Sequence, residues 1–183
     1  MSTLWEETDE DYLNLIKDWT DPYPNPEIIK HDGIHVVRDD LLNAGSKVRF
    51  IDYLISSNKE INEWVFGSCP ATGYAQISLP IACKKHNKKA VLFMAKRDEK
   101  NLTEYQKRGI ELGVDYHWVE NGMLTVTQKR AKDYAAESSD RMVLPLGLEH
   151  PSVLGSIIKV ARNLPITPNE VWTVGSSGTL NRG

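Results

Sequence analysis

The sequence predicts an α/β protein in which helices cover both faces of mostly parallel sheets, giving three αβα layers. Strand-like apolar runs alternate with amphipathic segments between residues 63 and 119. This βαβαβ order is typical of parallel sheets, because parallel strands need long crossover connections. Two further segments, 34–57 and 171–179, each show a strand-like run followed by a small-residue turn and a predicted helix start. A chain of 183 residues can form one domain or two small lobes.

The composition excludes several classes of protein. The formal net charge of -3 gives no basic field for nucleic acid, so we expect no nucleic-acid partner. The apolar stretches are shorter than the roughly 20 residues of a membrane helix, and the N-terminus is acidic where a signal peptide would be basic. We therefore expect a cytoplasmic protein without a membrane partner. The cysteines and histidines show no metal-ligand spacing, and we expect no metal.

The N-terminal third predicts a helix, an extended arm and a strand that leads into a second helix. An amphipathic helix is expected over about residues 9–19, and the three prolines of DPYPNPE then exclude helix. After a turn at Asp32-Gly33, residues 34–37 predict a strand. Gly45-Ser46 then opens a helix over 47–57, whose apolar face carries Val48, Ile51, Leu54 and Ile55.

The middle of the chain predicts the alternating core of the fold. Pro80 falls inside one predicted helix, which should therefore kink there or begin late. The expected elements are a strand at 63–66, a helix ending near 86, a strand at 90–95, a helix at 102–112 and a strand at 115–119.

The last third predicts two helices and a buried strand. A polar helix is expected over about 125–137, and a strongly periodic one over 152–164. Residues 171–174 form a short continuous apolar run, which is typical of a buried parallel strand. This run leads directly into Gly-Ser-Ser-Gly-Thr at 175–179.

The GSSGT segment is suited to binding a phosphate group. Glycines allow close approach of the backbone, successive N–H groups can form an anion-binding nest, and the hydroxyls add donors. The segment matches neither the dinucleotide-binding spacing nor the P-loop. An ordinary strand-to-helix turn is the alternative interpretation.

Lys47 occupies an unusual position in the first turn of its predicted helix. The positive end of a helix disfavours a cation and so favours the neutral amine that Schiff-base formation requires. A solvated surface lysine is the alternative.

Around Lys47 the sequence resembles a known family. RDDLLNAGSKVRFIDYLI is similar to the cofactor-lysine segment of the 1-aminocyclopropane-1-carboxylate deaminase and D-cysteine desulfhydrase group, which are fold-type II pyridoxal-phosphate enzymes with the tryptophan-synthase-β-like fold. Three later segments resemble the same group in the same order: FGSCPATGYAQISLPIACKKHNKKAVLFMA, LPLGLEHPSVLGSIIKVA and VWTVGSSGT. The residues that match around the lysine are Arg38, Asp39, Asp40, Gly45, Ser46, Lys47 and Arg49.

The resemblance implies a pyridoxal 5'-phosphate-dependent lyase or deaminase that acts on a small amino acid. Lys47 would form the aldimine and shuttle the α-proton, and Thr72 would lie near the cofactor ring. The cofactor phosphate would be bound by Gly175, Ser176, Ser177, Gly178 and Thr179, and the substrate by Ser68, Tyr74 and His150. Residues 1–45 with 141–183 would belong to the large cofactor domain, and 46–140 would form the small αβα domain.

Two departures from the family leave alternatives open. The loop at 67–76 lacks the family's asparagine, and the chain stops just after the phosphate loop, so the large domain would be incomplete. We therefore expect a homo-oligomer or completion by another chain. A non-catalytic or partner-completed homologue that binds pyridoxal phosphate or another phosphorylated ligand is the second hypothesis. A phosphoribosyltransferase-like phosphosugar-binding protein is the third, although such loops usually follow paired acidic residues that 171–174 does not provide.

Overall fold

The structure is a computed structural model that describes residues 7–120, 122–175 and 178–183. The chain divides into two compact units, residues 1–53 with 146–183 (unit 1) and residues 54–145 (unit 2). The helices and strands are α1 (Asp9–Leu15), β1 (Ile28–His31), β2 (Ile34–Val37), α2 (Lys47–Ser57), β3 (Glu63–Phe66), α3 (Ala75–Lys85), β4 (Lys89–Ala95), α4 (Glu104–Glu111), β5 (Asp115–Val119), α5 (Leu124–Ala136), β6 (Arg141–Val143), α6 (Pro151–Arg162) and α7 (Thr179–Arg182).

Unit 2 is built on a parallel sheet with the strand order β5-β4-β3-β6. After Lys89, β4 is a continuous apolar run with a buried interior, as expected of a strand covered on both faces. Helices cover both faces of this sheet. Two successive residues of β5 contact the two helical layers, because side chains of a strand alternate between the faces of the sheet. Tyr116 donates a hydrogen bond to Gln76 of α3 (3.1 Å), whereas His117 stacks on Phe93 and lies beside Tyr134 of α5. The predicted αβα class with a parallel sheet is confirmed.

The amino ends of the four strands carry a ladder of alternating charge. In the order of the sheet, the first residues are Arg141, Glu63, Lys89 and Asp115. Glu63 lies 2.9 Å from Arg141 and 3.2 Å from Lys89, and Lys89 lies 2.8 Å from Asp115. Tyr134 also donates its hydroxyl to Glu63 (2.6 Å). Every rung pairs opposite charges on neighbouring strands, which favours this strand register.

Most predicted elements of unit 2 lie within a few residues of their observed bounds. α3 begins at Ala75 and continues through Pro80, which removes the backbone donor of only one helical hydrogen bond. The strand β6 was not predicted, because it has only three residues within a turn-rich segment.

Unit 1 contains the helices α1, α6 and α7, the β1-β2 hairpin and the part of α2 up to Tyr53. The hairpin pairs Ile28–His31 with Ile34–Val37 around Asp32 and Gly33, which both have positive φ (48° and 82°). Asp-Gly is a preferred sequence for this tight turn. The strand β1 was not predicted, and β2 pairs with β1 rather than with the parallel sheet.

The prediction of a buried strand at residues 171–174 is wrong. No strand is assigned in this segment, and Val171, Trp172 and Val174 are 70%, 86% and 95% exposed. An apolar run becomes a buried strand only where a neighbouring strand pairs with it. In the described part of unit 1, the only strands are those of the hairpin, which pair with each other.

Among the described helices, none is both long enough and apolar enough to cross a membrane.

Candidate active site

Unit 1 contains a cavity of about 140 Å³ that is lined by Lys47 and by the described residues of the glycine-rich segment 175–179. Of the predicted site residues, Lys47, Gly175, Gly178 and Thr179 line it together. Ser176 and Ser177 lie outside the described residues. A water molecule occupies about 30 Å³ in the liquid, so this cavity has the volume of about four or five waters. It therefore suits a group of phosphate size rather than a whole drug-sized ligand.

The turn before α2 determines where Lys47 lies. Ala44 and Gly45 both have positive φ (82° and 67°), and Ala44 is fully buried. A residue with a β-carbon costs about 1–2 kcal/mol in this left-handed conformation, so the surrounding packing must hold Ala44 there. α2 then starts at Lys47, whose side chain is exposed and has no hydrogen bond or ion pair within the described part of the chain. Its amine is therefore accessible from the cavity and from solvent.

A second strained turn forms another part of the cavity wall. Gly147 and Leu148 both line the cavity and have positive φ (67° and 58°), and Leu148 is buried. Strained backbone of this kind clusters at ligand sites in many proteins. The sequence indicated a turn at Gly45-Ser46, but it did not predict the positive φ of Ala44 or Leu148, because these residue types rarely adopt it.

His150 follows this turn and caps α6. Its Nδ1 accepts a hydrogen bond from the Ser152 backbone N–H (3.3 Å) and lies 2.6 Å from the Ser152 hydroxyl. Desolvation lowers the pKa of His150 below its ordinary value. His150 is not among the described residues that line the cavity, so its predicted contact with substrate stays a prediction.

The glycine-rich segment leads into the one-turn helix α7. Gly178 precedes this helix with φ 85°, and a β-carbon built on Gly178 would meet no atom within 4 Å. The space above Gly178 is therefore open. A β-carbon on Gly175 would lie only 2.9 Å from the Asn181 side-chain nitrogen. Asn181 also accepts a hydrogen bond from the Thr173 hydroxyl (2.6 Å). This bond joins Thr173, which precedes the glycine-rich segment, to α7. The sequence did not suggest this role of Asn181.

The side of α2 away from Lys47 is fixed by Arg49. This buried guanidinium donates to Asp39 (2.8 Å), to the Pro24 carbonyl oxygen (2.9 Å) and to Asp21. Tyr23 lies beside it, and desolvation together with the charges of Asp52 and Asp21 raises the pKa of Tyr23 to about 12. The cluster ties the proline-containing arm to α2. The contribution of Asp21 could not be recognised from the sequence, because it lies 28 positions before Arg49.

The other predicted site residues belong to unit 2. Ser68 is buried, and its hydroxyl accepts a hydrogen bond from Gln128 (2.9 Å). Thr72 is exposed, and Tyr74 packs edge-to-face on Tyr105 with ring centroids 6.0 Å apart. The sequence predicts that Ser68, Thr72 and Tyr74 act with Lys47, and this stays a prediction.

A buried amide shapes the loop that carries Thr72 and Tyr74. Gln76 donates its side-chain N–H groups to the carbonyl oxygens of Ala71 and Gly73, both at 3.0 Å. The Thr103 hydroxyl also donates to Ala71 (2.7 Å). Gln76 was part of the predicted loop, but nothing in the sequence distinguished it as the residue that organises that loop.

The similarity of this chain to known proteins lies in its fold. No protein-family model and no curated protein sequence match this chain. A solved structure of an ACC deaminase homologue matches it with a TM-score of 0.68 and 18% identity, over 92% of this chain. The chain spans 58% of the length of that protein. The similarity shows that the two proteins share a fold, and it agrees with the fold expected from the resemblance around Lys47.

Proposed function

We propose that this chain binds pyridoxal 5'-phosphate through Lys47 and residues 175–179, as part of a lyase or deaminase for a small amino acid. One observation carries the proposal: an exposed lysine amine lines the same cavity as Gly175, Gly178 and Thr179. An amine and a glycine-rich segment are the two groups needed for the aldehyde and the phosphate of this cofactor. The shared fold with an ACC deaminase homologue supports the same proposal.

The residues present fit the reactive ends of the cofactor. The open space at Gly178 would admit a phosphate oxygen where a β-carbon would otherwise project. A cavity of about 140 Å³ takes the phosphate and the atoms next to it, so the rest of the ring would lie outside this cavity. When bound, the cofactor would supply an electron sink for a carbanion formed on the substrate.

Lys47 has the properties that this role requires. It makes no ion pair with described residues, so its amine is not held by a carboxylate. As a general base Lys47 would remove the proton next to the substrate's amino group and return it after elimination. For Thr72 at the cofactor ring, and for Ser68, Tyr74 and His150 at the substrate, the support is the sequence resemblance.

Ligand binding without turnover is the second candidate. The loop at 67–76 contains no asparagine, and the cavity in unit 1 is smaller than the roughly 300 Å³ at which ligand pockets usually begin. Both observations favour a homologue that retains the phosphate site and needs a second chain, or a second copy, for any catalysis.

The experiment combines cofactor binding with chemical trapping. The purified chain is mixed with pyridoxal 5'-phosphate, its absorption near the visible edge is recorded, and the adduct is reduced with borohydride and mapped by mass spectrometry. We expect the added mass on the peptide that contains Lys47, and its loss in Lys47→Ala. Lys17→Ala, which changes an exposed lysine of the same unit, is the matched control.

Two results decide between the candidates. An absorption band that persists unchanged in Lys47→Ala would overturn the role of Lys47. Release of 2-keto acid from small amino acids by the loaded protein would support the lyase or deaminase, whereas trapping on Lys47 without any release would favour the binding protein.

A further inference from the structure

A strongly basic turn connects α3 to β4 in unit 2. Its sequence is Lys-Lys-His-Asn-Lys-Lys at residues 84–89, in a chain whose formal net charge is -3. The turn borders a second cavity of about 240 Å³, which is lined by Lys84, Lys88 and Lys89 together with apolar groups. This cavity lies at the amino end of β4, whereas the loop with Thr72 follows the carboxyl end of β3.

The three lysines differ in how far their charges are neutralised. Lys89 pairs with Glu63 (3.2 Å) and Asp115 (2.8 Å), so its charge is balanced. Lys88 donates to two uncharged oxygens, the Lys59 carbonyl (2.7 Å) and the Asn62 side chain (3.1 Å). Lys84 is exposed and has no hydrogen bond or ion pair among the described residues. The cavity therefore carries two ammonium charges that no carboxylate in the described structure pairs with.

Apart from Asn87, the remaining lining residues are apolar side chains and Gly113. Pro80 and Cys83 are buried residues of α3, and Leu112 contributes from the end of α4. Burial raises the pKa of the Cys83 thiol to about 12, so this side chain is uncharged at neutral pH. Gly113 has φ 85°, and a β-carbon there would meet no atom within 4 Å, which leaves space at this side of the cavity.

We propose that this cavity binds a small organic anion, with its charged head on Lys84 and Lys88 and its apolar body on Pro80, Cys83 and Leu112. The head is a phosphate or a carboxylate, because both are bound well by ammonium groups. The site is independent of Lys47 and of the proposed function. Lys84 also lies in the last turn of α3, where a cation stabilises the helix end, but that effect explains neither the cavity nor the unneutralised charge on Lys88.

The test is a titration of the whole chain in which binding is monitored through the chemical shifts of the backbone amides. The three probes are phenyl phosphate, inorganic phosphate and phenol, which separate the contributions of the head and the body. We expect saturable shifts at Asn87, Lys88 and Gly113 with phenyl phosphate, weaker binding of inorganic phosphate, and no saturation with phenol. Shifts near Gly178 would be followed separately, since they report on the other cavity.

Two variants complete the design. Lys84→Met should lower the affinity for phenyl phosphate about fivefold, which is the order of effect expected for one partly exposed charge contact. Lys132→Met, an exposed helical lysine elsewhere in unit 2, should leave the affinity unchanged. The proposal is overturned if residues 83–90 and 112–113 show no saturable shift, if sodium chloride produces the same shifts, or if both variants bind as tightly as the unmodified chain.

Discussion

The Arg49 guanidinium lies 2.8 Å from the Asp39 carboxylate, and this pair joins α2 to the segment that precedes it. Arg49 follows Lys47 by two residues, which is about 200° around a helix, so the two side chains point to different sides. Arg49 is fully buried, and Asp21, Asp39 and the Pro24 carbonyl replace the water it has lost. The position of Lys47 thus depends on an ion cluster that does not touch the cavity.

Replacing Arg49 should destabilise the protein strongly. Arg49→Met keeps an apolar stem but leaves Asp21 and Asp39 without their cation, and we expect a loss of about 3 kcal/mol, as for other broken buried pairs. Urea denaturation measures this change. Arg38→Met is the control, because Arg38 pairs with Asp40 at an exposed site and this substitution should cost little stability. Equal stability of the two variants would contradict the anchoring role of Arg49.

Gly178 and Gly33 form a matched pair for testing the glycine-rich segment. Both have positive φ (85° and 82°), and neither would bring a β-carbon within 4 Å of another atom. Alanine at either position should cost about 1 kcal/mol of stability from backbone strain alone. Only Gly178→Ala should also weaken binding of pyridoxal 5'-phosphate, measured by absorption. If both variants keep the affinity of the unmodified chain, the segment does not bind the phosphate.

The charge ladder at the amino ends of the strands predicts a pH-dependent stability. Desolvation raises the pKa of Glu63, but hydrogen bonds from Tyr134 and Lys89 outweigh it and leave the pKa below its ordinary value. Because the folded state holds the charged form more tightly, the contribution is present above about pH 4.3, the unfolded pKa, and is lost as pH falls through the folded pKa.

Glu63→Gln should therefore lower the free energy of unfolding at pH 7 by about 1–2 kcal/mol, between the values for exposed and buried pairs. The difference from the unmodified chain should shrink as the pH is lowered below 4, measured by urea denaturation at several pH values. Glu137→Gln is the control, because the Glu137 carboxylate lies 3.3 Å from Arg141 Nη1, outside the ladder, and its side chain is 70% exposed. A difference that is constant with pH would contradict the ladder.

The exposed apolar segment 171–174 predicts self-association. Trp172 is 86% exposed, and Val171 and Val174 in the same segment are also exposed, whereas monomeric proteins rarely expose large apolar patches. We expect concentration-dependent association in sedimentation velocity, weakened about tenfold in Trp172→Ser. Met123→Ser, at a 70% exposed position in unit 2, should change nothing. A chain that stays monomeric at all accessible concentrations would refute this prediction.

The sequence by itself determined the local elements and the order in which they occur. The helix that begins at Lys47 and the strands β3 and β5 have the predicted bounds, because periodicity and turn residues are local signals. Lys47 and the 175–179 segment were also recognised locally, from a lysine in a first helical turn and from glycines that allow close approach of the backbone.

The tertiary structure decided everything that depends on partners distant in sequence. The run at 171–174 has the composition of a buried strand, yet no described strand pairs with it and it lies exposed. Asp21 and Asp39 gain their role only where folding brings them to Arg49. The positive φ angles of Ala44 and Leu148 likewise depend on the surrounding packing, which local sequence preferences do not predict.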